Sequence, residues 1–257
     1  MTVSVVIPTT DWDEMLWRLE LNLQGLANQI TKPQQVVVVD SVGLTDKVAN
    51  LVNQFQDRLN IQAARLTYKD IVFRTGAARN KGVDLLEPCD RVLFLDADCV
   101  PYPRTIEAHA NNHAPDRVLL GYRVHVKPKW AMRGNVFKVY ETAPHQLDHR
   151  LRAGKTDCTW KQCHSHHVSF CYNLFNRVGG FWPKTVITED VEIAIRCDRA
   201  GGTFQYIPQP RVKHIDHPVW RPLQKNNNLP PWHVSWEASL QIPGYLRETP
   251  AFLDWRN

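Results

Sequence analysis

Arg91-Val92-Leu93-Phe94-Leu95-Asp96-Ala97-Asp98 is the stretch on which the reading of this chain turns. Four consecutive apolar residues read as a strand covered on both faces, as strands of parallel sheets are. Two carboxylates follow where that strand ends. In an extended segment alternate residues share a side. Asp96 and Asp98 can therefore hold a hard divalent cation through oxygen, with a diphosphate completing the shell. An ordinary strand-end turn has the same composition, and Asp11-Trp12-Asp13 repeats the spacing. Only the first triplet follows a strand.

Toward the N-terminus the chain alternates strand and helix. Val3-Ser4-Val5-Val6-Ile7 is a short apolar run closed by Pro8. Residues 13–28 carry Met15, Leu16, Leu19, Leu23 and Leu26 at helical spacing, with Thr10 placed to cap the start. Residues 35–39 form a continuous apolar strand ending in Asp40. A helix capped by Thr45 follows, with Val48, Leu51, Val52 and Phe55 on one face. Residues 61–66 read as a strand and residues 76–86 as an Ala-rich helix. Repeated β-α-β units predict an α/β fold, a doubly wound, mostly parallel central sheet with helices on both faces. Ligands in such sheets sit beyond the carboxyl ends of the strands. Thr9, Thr10, Asp40, Asp96 and Asp98 are expected in one crevice.

The second half is less regular. Residues 118–126 and 168–175 read as strands, 130–155 as partly exposed helix, and 203–207 as a short strand. Residues 188–200 form a helix that Thr188 caps, Glu189 and Asp190 begin and Gly201 stops. The expected organisation is a catalytic domain over residues 1–217, with a nucleotide-facing half (1–100) and an acceptor-facing half (101–217). Residues 218–257 form a tail rich in Pro, Asn and Trp.

Composition bounds the function. Apolar residues make up 43% of the 257, enough for a sizeable core, and the net charge of +5 is mild. The basic residues are scattered, which argues against nucleic acid. They suit a small anionic substrate or peripheral contact with an anionic membrane. The longest apolar runs fall far short of the ~20 residues that span a bilayer. No basic leader precedes the first strand, so a cytoplasmic location is expected. The six cysteines are expected as free thiols. Cys158 and Cys163 lie near His164, His166 and His167, but their spacing matches no common structural zinc pattern.

Other segments carry candidate chemistry. Thr75-Gly76-Ala77-Ala78-Arg79-Asn80-Lys81-Gly82 opens a helix with small residues, and Arg79 can pair with a phosphate. It is not a phosphate-binding P-loop, and no dinucleotide-binding glycine fingerprint follows any strand. Carboxylates at a helix start, as Glu189 and Asp190 are, suit the free N–H groups there whatever else they do. Val178-Gly179-Gly180-Phe181-Trp182 reads as a turn that shapes a pocket, with an aromatic ring to stack on a sugar. In Lys213-His214-Ile215-Asp216-His217, a neutral imidazole can supply a further metal ligand.

Taken in order, Val3 to Thr9, Val38-Val39-Asp40, Gly76 to Gly82, Phe94 to Asp98, Val178 to Phe181 and Glu189-Asp190-Val191-Glu192 resemble glycosyltransferase family 2, whose fold is called GT-A. The resemblance covers roughly residues 3 to 217 and implies roles. Pro8, Thr9, Thr10 and Asp40 would hold the nucleoside, with Gly76, Arg79, Asp96 and Ala97 completing the nucleotide site. Asp98, with Asp96 and His214, would bind Mn²⁺ or Mg²⁺. Asp190 matches the family's catalytic base, and Glu189 is its neighbour. His167 and Trp182 are expected to face a carbohydrate, lipid-linked or small-molecule acceptor.

The implied reaction moves a sugar from a nucleotide diphosphate sugar, UDP-linked before GDP-linked, to an acceptor hydroxyl with inversion. The chain departs from the family pattern after Phe181, where Trp182-Pro183-Lys184 replaces a common acidic residue. It also lacks the Q-x-x-R-W motif of processive synthases, which points to single addition. Two other readings compete. A sugar-phosphate nucleotidyltransferase needs a Gly-rich basic loop where Pro8-Thr9-Thr10-Asp11-Trp12 stands. A non-catalytic nucleotide-sugar or carbohydrate-binding protein would not need the acidic residues to be intact.

Overall fold

The computed structural model describes residues 1–41, 43–66, 75–148, 158–182 and 189–217. Its strands are β1 (Val3–Thr9), β2 (Val36–Asp40), β3 (Ile61–Arg65), β4 (Arg91–Leu95), β5 (Cys99–Val100), β6 (Arg117–Val126), β7 (Gln146–Leu147), β8 (His167–Cys171) and β9 (Thr203–Ile215). Its helices are α1 (Asp13–Ala27), α2 (Lys47–Asn53), α3 (Thr75–Val83), α4 (Thr105–Asn111), α5 (Val136–Glu141), α6 (Tyr172–Arg177) and α7 (Glu189–Arg199).

One sheet runs in the order β3-β2-β1-β4-β8-β6-β9-β5, with β7 paired to β6. β1, β2, β3, β4, β6 and β9 run one way, and β5, β7 and β8 run against them. Alternation along the apolar strands explains why both faces are covered. Val36 and Val38 point into one core with Leu19, Leu23 and Leu26 of α1 and Val48 and Val52 of α2. Val37 and Val39 point into the other with Ala78 of α3 and Ile193 and Ile195 of α7. Each such side chain stabilises the fold by roughly 1.5–3 kcal/mol through burial.

Gly82 lets α3 approach the sheet closely. A Cβ there would lie 2.3 Å from Val6 Cγ1. Phe94, Phe170, Phe175 and Phe181 meet with centroids 5.1–6.2 Å apart, mostly edge to face. This cluster ties the Gly179-Gly180 turn to the strand that carries Asp96.

Several expectations change. Residues 172–175 are helical rather than strand, because β8 ends at Cys171. β9 extends to Ile215 rather than stopping at residue 207. Of the stretch 130–155, only Trp130–Met132 and α5 are helical among the described residues. The α1 start lies at Trp12 with no side-chain cap. The Thr188 cap and the tail from residue 218 lie outside the described residues. All six cysteines are free. Among the described residues, no helix is long and apolar enough to cross a membrane.

Candidate active site

Beyond the carboxyl ends of β1 and β4 lies a cavity of about 380 Å³. Pro8, Thr9 and Thr10 form one wall, Asp96, Ala97 and Asp98 another, and Arg79, Glu189 and His217 close it. Trp12, Met15, Thr75 and Ser165 also reach it, and sequence reading assigned them no role. Thr10 Oγ1 is buried without a partner among the described residues. An orphaned hydroxyl on a cavity wall is what a bound polar ligand would satisfy.

Arg79 organises the acids. Its side chain is 1% exposed, and it donates from Nη2 to Asp96 Oδ1 at 2.9 Å and from Nη1 to Glu189 Oε1 at 2.7 Å. Each terminal nitrogen thus gives one of its two N–H groups to a carboxylate, and Arg79 itself reaches the cavity. Burial raises the pKa of Glu189, with Arg79 opposing and Asp190 reinforcing. Asp96 is likewise raised by burial, with Arg79 opposing and Asp98 adding to it.

Asp190 sits beside this pair rather than on the cavity wall. Its Oδ2 accepts from the Ser165 amide at 3.3 Å and lies 3.7 Å from His164 Nδ1. Burial works against its carboxylate, but the nearby His164, with Arg79 and the Ser165 amide, holds its pKa below the ordinary value. Ser165 Oγ also donates to Glu189 Oε1 at 3.4 Å, so one residue touches both acids.

The metal candidates converge from two segments. Cys99 of β5 pairs with His214 of β9 in antiparallel register, and the Ile215 amide donates to the Asp98 carbonyl at 3.0 Å. His214 Nε2 comes to 3.3 Å and His217 Nε2 to 2.9 Å from Asp98 Oδ2. The ligand atoms of Asp98, His214 and His217 lie within 4.8 Å of one another, close enough for one ion. Burial favours protonation of Asp98, but the two histidines overcome it and hold the pKa far below the usual carboxylate range. Asp96, expected as a further ligand, gives Oδ1 to Arg79 and lies outside this cluster on the cavity wall. His217 was not singled out from sequence; its spacing of three from His214 was the available signal.

Other expected residues fall elsewhere. His167 is fully buried in the core, with Nε2 2.9 Å from His109 Nε2 and Nδ1 donating to the Tyr122 carbonyl at 3.2 Å. It cannot meet an acceptor, and His164 is the histidine of this loop that flanks Asp190. Asp40 is buried at the end of β2, where its Oδ1 accepts from the Gly43 amide at 2.9 Å in a turn. Gly76 serves packing, since a Cβ there would lie 3.2 Å from Phe181 Cβ and 3.5 Å from Glu189 Cβ. Trp182 is half-buried after the turn, off the cavity wall. That turn is held by Asn80, whose side chain donates to the Phe181 carbonyl and accepts from its amide.

Known proteins resemble this chain in sequence or in fold. Validoxylamine A glucosyltransferase of Streptomyces hygroscopicus subsp. limoneus is 35% identical over 123 residues, 46% of this chain and 26% of that protein. Chondroitin synthase of Pasteurella multocida (strain Pm70) is 26% identical over 84% of this chain and 25% of its own length. The chain thus spans about a quarter of the length of these relatives. Among solved structures, S. aureus TarS 1-349 in complex with UDP-GlcNAc superposes with a TM-score of 0.60 at 16% identity, covering 86% of this chain and 60% of that one. The mannosyltransferase PcManGT from Pyrobaculum calidifontis, in complex with GDP-Man and Mn²⁺, gives 0.56 at 20% identity over 93% and 60%. These likenesses show a GT-A type fold. The profile described as glycosyltransferase like family 2 matches residues 2–228, nearly the whole of the sheet and its site, and to that family of glycosyltransferases the chain belongs.

Proposed function

We propose that the chain moves one sugar from a nucleotide diphosphate sugar, UDP-linked before GDP-linked, onto an acceptor hydroxyl with inversion at the anomeric carbon, using a bound divalent cation. The observation that supports this reading is the junction at one cavity of an Arg79-held acid pair with the Asp98, His214 and His217 cluster. The TarS and PcManGT complexes hold a UDP-sugar and a GDP-sugar with Mn²⁺ respectively, which fits the donor class.

Pro8, Thr9 and Thr10 would receive the nucleoside, with Thr10 Oγ1 as an unspent hydroxyl. Asp40 would support that wall through its turn. Asp96 and Ala97 would meet the ribose. Asp98, His214 and His217 would hold the cation. One carboxylate and two imidazoles fit Mn²⁺ better than Mg²⁺, which prefers oxygen alone. When bound, the cation supplies Lewis-acid stabilisation to the leaving diphosphate.

Asp190 is the better of the two acids for general base. Glu189 is committed to Arg79, whereas His164 and the Ser165 amide keep Asp190 ionised and able to take the acceptor proton. Trp182 would border the acceptor.

Thermal unfolding with UDP or GDP, each with Mn²⁺ and again with EDTA, tests the donor site. A ligand at 100 times its dissociation constant adds about 2.7 kcal/mol. A metal-dependent shift with one nucleotide, lost in Asp98→Asn, is expected. Absence of any shift at millimolar nucleotide would refute the site.

A further inference from the structure

Asp216 lies between His214 and His217, and the proposed chemistry gives it no role. Its Oδ1 accepts from His214 Nδ1 at 3.1 Å and from His125 Nδ1 at 2.9 Å, and its Oδ2 accepts from His145 Nε2 at 2.6 Å. Three imidazoles on one carboxylate follow from the sheet register. His125 of β6 stands directly opposite His214 of β9, and the His145 amide donates to the His125 carbonyl at 3.0 Å.

The backbone here is fixed as firmly. The Asp216 amide donates to the Val126 carbonyl at 3.0 Å. Arg18 of α1, 2% exposed, donates from Nη2 to the Asp216 carbonyl at 2.7 Å and from Nε to the Ile215 carbonyl at 3.3 Å. The carboxylate can therefore neither turn away nor shift along the strand.

A neutral imidazole carries one N–H, and an ionised carboxylate only accepts. With Asp216 at Nδ1, the His214 proton is held on Nδ1, and the lone pair is left on Nε2. That is the nitrogen 3.3 Å from Asp98 Oδ2. Without Asp216 the ring gains the other tautomer, whose Nε2–H donates to Asp98 and closes the position where a cation would bind. A ligating histidine is commonly fixed in this way by a hydrogen bond at its other nitrogen.

We infer that Asp216 is a positioning residue that sets the tautomer and orientation of His214 for cation binding, and that His125 and His145 act through Asp216 by fixing its carboxylate. The inference rests on the reading that Asp98, His214 and His217 hold the cation. His125 and His145 are thereby given a role without touching the ion.

The test is calorimetric titration of the full chain with Mn²⁺ in the absence of nucleotide, for wild type, Asp98→Asn, Asp216→Ala, Asp216→Leu, His125→Ala and the double variant His125→Ala with Asp216→Ala. Asp216→Ala is expected to weaken Mn²⁺ by about 10–100-fold. His125→Ala should weaken it by a smaller factor in the wild-type background and by nothing further once Asp216 is gone. If Asp216→Ala does not fold, Asp216→Leu, close in shape and unable to accept from His214, decides, and a loss under about twofold overturns the inference.

If Asp98→Asn weakens Mn²⁺ while Asp216→Ala stays within twofold of wild type, the inference fails and the metal reading stands. If wild type does not bind Mn²⁺, or Asp98→Asn has no effect, the metal reading fails and takes the inference with it. If Asp216→Ala lowers the stoichiometry from two ions to one and leaves the remaining affinity unchanged, the histidines form a second cation site, and the positioning role is wrong.

Discussion

Replacing Arg79 by Met keeps the aliphatic stem and removes the charge that joins Asp96 to Glu189. The guanidinium side chain is 1% exposed, and its two carboxylate partners are 32% and 12% exposed. Breaking a buried pair from one side leaves uncompensated charge and costs about 3–5 kcal/mol. With a urea slope of about 2–3 kcal/mol per molar for a chain of this size, the unfolding midpoint should fall by about 1–2.5 M at pH 7. Working in EDTA keeps bound metal out of the comparison.

The pH dependence of that loss is the sharper test. Burial already raises the folded pKa of Glu189, and Arg79 is the main group opposing it. In the variant the folded pKa climbs further above the unfolded value. The folded state then binds protons more readily than the unfolded state, so the variant loses stability as pH rises and regains it as pH falls. The deficit against wild type should shrink between pH 7 and pH 5, at a rate of at most about 1.4 kcal/mol per pH unit for each carboxylate. A deficit under 1 kcal/mol at pH 7, or one equal at the two pH values, would refute the account of Arg79 as the group that keeps two buried acids charged.

Asp190→Asn should reduce turnover by about 10²–10⁴-fold, the usual contribution of a positioned base, while nucleotide and Mn²⁺ still raise the melting temperature; unchanged turnover would remove Asp190 from the reaction. Gly121→Ala should destabilise by about 1–3 kcal/mol in urea titration, since the new Cβ would stand 2.0 Å from His167 Nδ1. Burial, with His167 and Arg91 nearby, holds His109 well below its ordinary pKa, so it stays neutral in the fold while the unfolded chain protonates. Stability should therefore drop as pH falls below about 6.5, by up to about 1.4 kcal/mol per unit, and His109→Gln should flatten that slope in urea titrations between pH 7.5 and 5.5.

What could be read from sequence divides along physical lines. β1, β2 and β4 were legible because a strand covered on both faces must be apolar throughout, and α1 because its leucines repeat at helical spacing. The stretch 168–175 was misread because a short apolar run has no period to separate strand from buried helix. β9 is longer than the expected 203–207 because it runs on through Pro208 and Pro210, a residue type usually kept to strand edges and bulges. The strand tolerates them near the register shift between Gly121 and Arg123, where the ladder to β6 is irregular. His167 was expected at the acceptor because its buried partner, His109, is 58 residues away and leaves no local sign. The commitment of Arg79 to two acids depends on a contact across 110 residues, which no local pattern encodes.

The long ninth strand also bears on when the site comes into being. The carboxylates at the end of β4 belong to the first hundred residues, whose strands pair with near neighbours in the chain. The imidazoles of His214 and His217 arrive only with β9, which lies between β6 and β5 in the sheet. At translation rates of ~5–20 residues per second, the histidines emerge on the order of ten seconds after Asp98. A nascent chain can thus display the carboxylates that follow β4 well before it can bring the two imidazoles to Asp98.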